Sequence, residues 1–140
     1  MEINLKGTNY RLTKQRRIIL EELRKVCTHP TAESVYKMVK KRIKNISFAT
    51  VYRNLDFLEN NGYIIKLKIK DKKARYDGEA SPHRHLTCKH CGEIIDIFDC
   101  RGVIIRSKEL KKCGFVPDCG SLEIPGLCKS CHKKHILTQK

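Results

Sequence analysis

No apolar run in this 140-residue chain approaches the roughly 20 residues needed to cross a bilayer. The opening stretch, M-E-I-N-L-K-G-T-N-Y, has no apolar signal region. The cytoplasm is therefore the expected compartment, and no membrane partner is expected. Catalytic signatures are missing too: the sequence holds no H-E-x-x-H, no nucleophile elbow and no P-loop. The protein is expected not to be an enzyme and to have no small-molecule substrate. Acidic residues are scarce, 15 against 30 Lys and Arg, for a formal net charge of +15. The shortage is greatest in residues 1–70, with 16 basic and 6 acidic side chains. Such an excess favours a polyanionic partner, nucleic acid before an anionic membrane. Aromatic residues make up only 6% of the chain, so a small C-terminal domain needs another source of stability. Cysteine, by contrast, is plentiful. In a reducing compartment eight cysteines point to metal rather than to disulfides.

The N-terminal half reads as three helices and a hairpin. Thr13 caps a helix over K-Q-R-R-I-I-L-E-E-L-R-K-V, with Ile18, Ile19, Leu23 and Val26 as its buried stripe. After the break H-P-T, Thr31 caps a second helix marked by Val35, Met38, Val39 and Ile43. Ser47 opens a third, F-A-T-V-Y-R-N-L-D-F-L-E-N-N, and Gly62 ends it. Phe48, Val51, Leu55 and Leu58 share one side of this helix. Ala49, Thr50 and Arg53 lie on another, near its start, where a DNA recognition helix needs small or polar residues and a long donor. Tyr52 adds a flat ring and a hydroxyl. The period then changes to two in Y-I-I-K-L-K-I-K, placing Ile65, Leu67 and Ile69 opposite Lys66, Lys68 and Lys70. D-K-K turns the chain and A-R-Y-D returns as the partner strand. This is the pattern of a winged helix, whose wing lysines would contact phosphates and contribute affinity rather than sequence choice.

Two metal constellations follow. Cys88/Cys91 and Cys128/Cys131 form two Cys-x-x-Cys pairs, the ligand set of a structural Zn2+ site. An iron–sulfur cluster is the alternative, but the close cysteine run usual for one is absent. Such zinc can supply on the order of 10 kcal/mol to a small domain. Gly92 suits the sharp turn after Cys91. His83 and His85 share one face if they lie on a strand, and Cys88, an odd step from both, faces the other way. Asp77 precedes them. Asp96 interrupts the apolar strand I-I-D-I-F, where it needs a partner. His29 stands in H-P-T, far off in sequence. Three imidazoles and two carboxylates suit Fe2+ or Mn2+, and zinc would also bind them. A zinc hydrolase is a remote alternative, for which Glu79 is the only unassigned carboxylate near the histidine pair. Cys27, Cys100, Cys113 and Cys119 read as small buried hydrophobes.

The chain resembles the ferric uptake regulator (Fur) family of bacterial metal-dependent repressors. The matching motifs are Y-R-L-T-K-Q-R at 10–16, H-P-T-A-E-S-V-Y at 29–36, A-T-V-Y-R-N-L at 49–55, A-R-Y-D at 74–77, H-R-H-L-T-C-K-H-C-G at 83–92 and G-L-C-K-S-C at 126–131. The resemblance implies an α/β (α+β) chain, with a winged-helix DNA-binding domain over 1–77, hinged at its end, and an α/β dimerisation domain over 78–140. It implies a homodimer on double-stranded operator DNA. Cys88, Cys91, Cys128 and Cys131 match the structural zinc ligands, and His29, Asp77, His83, His85 and Asp96 the regulatory Fe2+ or Mn2+ ligands. Arg11, Gln15 and Arg16 join Ala49, Thr50, Tyr52, Arg53, Lys66 and Lys68 as expected DNA contacts. Asp96 resembles the peroxide-responsive branch, in which Fe2+ and H2O2 oxidise a ligand histidine. Arg53 resembles the iron-uptake branch, which is the alternative. Pro82, Arg84 and Gly120 depart from the second metal site of many iron-uptake regulators. No cysteine between Cys27 and Cys88 serves the zinc-uptake pattern.

Overall fold

The computed structural model describes residues 12–68, 73–98, 112–114 and 123–137, the last three of these by their backbone alone. The chain divides into two compact units, Met1–Ala80 and Ser81–Lys140. Of the expected features, Arg11, the outer residues of the wing, Cys100, Cys119 and Gly120 lie outside the described residues.

In the first unit α1 spans Lys14–Arg24, α2 Ala32–Lys40 and α3 Phe48–Asn60. Each starts at a hydroxyl whose oxygen accepts a backbone N–H three residues on. Thr13 takes that of Arg16, Thr31 that of Ser34 and Ser47 that of Thr50. Gly62 ends the run beyond α3 with a φ of 72°, left-handed backbone that favours glycine. The helices meet on Ile19, Leu23, Val35, Val39, Val51, Leu55 and Leu58, each no more than 1% exposed. A hairpin follows, β1 at Ile65–Leu67 against β2 at Arg75–Asp77, antiparallel, with Ile65 opposite Asp77. Tyr76 of β2 is buried in the helical core. Gly78 lets the chain pass α1 closely, since a Cβ there would stand 2.9 Å from the Arg24 nitrogen. This is a winged helix.

Some expected positions differ. Val26 falls beyond the end of α1 and Ile43 beyond that of α2, and both are only half-buried. Met38 is half-buried as well, while Leu20, Ile46 and Ile64 are buried. Phe48 is 41% exposed. As the first residue of α3 it has no preceding turn to cover it. It is flanked by the edge of Tyr36 at 5.7 Å and by the tilted ring of Tyr52 at 6.3 Å. Cys27 and Cys113 are exposed, not buried.

In the second unit β3 (Arg84–Cys88) is the centre of a three-stranded sheet. β4 (Ile94–Ile97) pairs with it antiparallel and β5 (Glu123–Gly126) parallel. α4 covers Lys129–Leu137. No described helix is long and apolar enough to cross a membrane.

Candidate metal centres and nucleic-acid interface

The cysteine site is built by the ends of β3 and β5. Cys88 closes β3, and a tight turn follows in which the Gly92 N–H donates to the Cys88 carbonyl at 2.9 Å and the Cys88 N–H to the Glu93 carbonyl at 2.8 Å. Gly92 has a φ of 77°, so the turn needs its glycine. Cys88 lies opposite Gly126 on β5, which leads into Cys128 and the first turn of α4 with Cys131. The four sulfurs lie within 4.8 Å of one another. Tetrahedral Zn2+ with bonds of about 2.3 Å sets sulfurs about 3.8 Å apart. The Cys91 and Cys128 sulfurs stand at 3.7 Å, so the residues fit that ion. Backbone N–H groups of Cys128 and Cys91 bring the Cys88 thiol down to about 5. Burial, helped by the neighbouring sulfurs, pushes the Cys131 thiol up to about 12. A dication held by the four sulfurs would favour the thiolate form of each. His90, assigned no role from sequence, sets Nδ1 3.7 Å from the Cys131 sulfur.

The histidines and aspartates expected to bind the regulatory ion fall in both units. In the N-terminal unit, His29 and Asp77 are 2% and 7% exposed. The His29 Nε2 stands 3.8 Å from the Asp77 Oδ2. Asp77 Oδ1 accepts the Glu79 N–H at 2.8 Å, which fixes the carboxylate. In the C-terminal unit, His83 and His85 are 1% and 0% exposed. Their Nε2 atoms are 2.9 Å apart. Asp96 is the cross-strand neighbour of His85, with Oδ1 3.5 Å from the His85 Nε2 and 3.6 Å from the His83 Nε2. The His83 Nδ1 lies 2.8 Å from the Ser81 carbonyl, which can only accept. That bond puts the ring proton on Nδ1 and leaves the Nε2 lone pair for an ion. Ligand atoms bound at about 2.1 Å lie about 3–3.5 Å apart around one ion; the donors of the C-terminal unit, 2.9 to 3.6 Å apart, are close to that spacing, and the His29–Asp77 pair at 3.8 Å is slightly wider. Phe98 stacks on His83 with ring centroids 4.9 Å apart.

The expected DNA contacts fall into two groups. Gln15, Ala49, Tyr52, Arg53 and Lys68 are exposed. Thr50 is half-buried, its hydroxyl 2.8 Å from that of Ser47. Arg16 and Lys66 are held by the protein itself. Arg16 lies 3.3 Å over the Phe57 ring and donates Nε to Asn54 Oδ1 at 3.2 Å. Lys66, 17% exposed, bonds Asp56 of α3 at 3.0 Å, and that carboxylate raises its pKa. Alternation alone would have aimed Lys66 into solvent.

Comparison with known proteins agrees with this architecture. Residues 7–124 match the model of the ferric uptake regulator family. The chain belongs to that family. Members of the Fur family are transcriptional regulators, not enzymes. One relative is the peroxide operon regulator of Bacillus subtilis, 38% identical over 93% of this chain and 90% of that protein. Among solved structures, the Helicobacter pylori ferric uptake regulator, described as having three functional metal binding sites, superposes with a TM-score of 0.73 at 29% identity, covering 87% of this chain and 82% of that one. The Campylobacter jejuni peroxide stress regulator gives a TM-score of 0.70 at 31% identity, over 84% and 88%.

Proposed function

We propose that this protein is a cytoplasmic, metal-dependent repressor that binds operator DNA as a homodimer and releases it on exposure to peroxide. The N-terminal unit is the DNA-binding domain, with Arg53, Ala49, Thr50 and Tyr52 at the base edges and Gln15, Arg11 and Lys68 on the backbone. The C-terminal unit carries the dimer contact, and the exposed Ile95 and Leu127 supply apolar surface for it. Cys88, Cys91, Cys128 and Cys131 hold Zn2+ permanently.

His29 and Asp77 on one side, and His83, His85 and Asp96 on the other, complete one Fe2+ or Mn2+ site. Two donors are too few to retain such an ion, and three leave coordination positions open. A shared ion would therefore favour the arrangement of the two domains that satisfies both sets, a population shift toward the DNA-competent dimer.

The observation that carries the peroxide reading is the cluster of Asp96 with the buried His83 and His85, where a bound Fe2+ would lie beside imidazole carbon and Asp96 would supply the carboxylate that resembles the peroxide branch. The close relative named for the peroxide operon supports it. Fe2+, when bound, supplies the electrons that split H2O2. The net change is an imidazole C–H gaining one oxygen while the other leaves as water. Its expected targets are His29 and His83, since either ring then loses its place in the ligand set.

The test is mass spectrometry after brief H2O2. Fe2+-loaded protein should gain the mass of one oxygen on His29 or His83, and the Mn2+ form should gain none. An unmodified Fe2+ form would instead favour iron sensing, the reading that Arg53 supports.

A further inference from the structure

We infer that Arg75 is a positioning residue for the N-terminal half of the metal site, acting through the backbone of His29. The inference rests on the proposed role of His29 and Asp77 as ligands. Among the described residues His29 is the one non-glycine with positive φ, at 47°. An L-residue adopts that conformation only where its surroundings hold it, and a residue before proline is steered toward extended backbone instead. His29 precedes Pro30, so its geometry runs against local preference twice over.

The hold comes from β2. The Arg75 guanidinium donates to the His29 carbonyl at 3.2 Å. The next carbonyl, Pro30, accepts the Tyr76 N–H at 3.0 Å, and Thr31 bridges to Arg75. Three consecutive residues are thus stitched to the strand that carries Asp77. The links at Pro30 and Thr31 are between backbone atoms, which substitution does not remove. Of these three links, the one from Arg75 to the His29 carbonyl is made by a side chain. Its guanidinium fixes the peptide after His29 and so the direction in which the imidazole leaves the chain, toward Asp77 Oδ2.

The expected consequence is a metal site that loses affinity without losing a ligand. The test is calorimetric titration of Mn2+ into full-length, zinc-loaded protein, as wild type, Arg75→Met, His29→Ala and the double variant. Arg75→Met should weaken Mn2+ binding by about 10–100-fold, the usual effect of losing a residue that orients a ligand. In the His29→Ala background the same change should cost nothing further, because the group it positions is gone. Arg75→Gln, with a shorter neutral donor, is read the same way if Arg75→Met does not fold. Wild-type-like affinity in the Arg75 variants would overturn the inference. An equal loss with and without His29 would also overturn it, since that marks a general structural role. If His29→Ala itself leaves Mn2+ affinity unchanged, the ligand assignment fails rather than the role of Arg75.

Discussion

Replacing Cys131 by Ser should unfold the C-terminal unit while the N-terminal unit stays folded. Among the described residues, the buried apolar side chains of the C-terminal unit are Cys88, Cys128 and Cys131 themselves. The N-terminal unit instead closes on a continuous cluster that includes Ile19, Leu23, Val35, Val39, Val51, Leu55 and Leu58, and each such side chain contributes about 1.5–3 kcal/mol when fully buried. Structural zinc supplies about 10–16 kcal/mol to small domains, which matches or exceeds the about 5–15 kcal/mol of net stability a domain has. The sheet of the second unit depends directly on that site. The Cys88 turn and the β3–β5 pairing both end in ligands, and the Lys89 N–H donates to the Gly126 carbonyl at 2.8 Å between the two Cys pairs. Hydrogen exchange followed by mass spectrometry is the assay. In Cys131→Ser, peptides covering 84–98 and 123–137 should exchange near the unprotected rate, while those covering 48–60 keep wild-type protection. Strands β3 and β4 protected as in the wild type, with zinc absent, would refute the reasoning.

Three further outcomes concern DNA. Arg53→Ala should cost about 1–3 kcal/mol and relax sequence preference at one position, whereas Lys68→Ala should weaken binding to all sequences alike and reduce the salt dependence by about one ion, both read from binding isotherms over a salt series. Mn2+ should tighten operator binding of the zinc-loaded protein by at least about tenfold, roughly 1.4 kcal/mol of coupling; equal affinity in a chelator that spares the thiolate zinc would contradict this.

The features readable from sequence are those with a local cause. Thr13, Thr31 and Ser47 announce their helices because a hydroxyl at the start of an apolar-periodic run has one obvious use. The pairing of His83 with His85 follows from strand parity, and Asp96 was marked by its cost between isoleucines. Where the pattern misled, the cause was tertiary. Phe48 has the right period but sits at the end of its helix, past the core. Lys66 alternates outward on paper, yet that face of β1 meets Asp56 of α3. The parallel pairing of β3 with β5 joins distant segments with no local signal. Arg75 and Ser81 were also beyond reach, because each link involves a backbone carbonyl, an acceptor that every residue carries.

The central claim is that one ion is shared by the DNA-reading domain and the C-terminal domain. Crystals of the Mn2+-loaded, zinc-replete protein, measured at a wavelength where manganese scatters anomalously, test it most directly. The account predicts a manganese peak in bonding contact with His29 and Asp77 as well as with His83, His85 and Asp96. A peak touching only His83, His85 and Asp96, with His29 turned away, would contradict it.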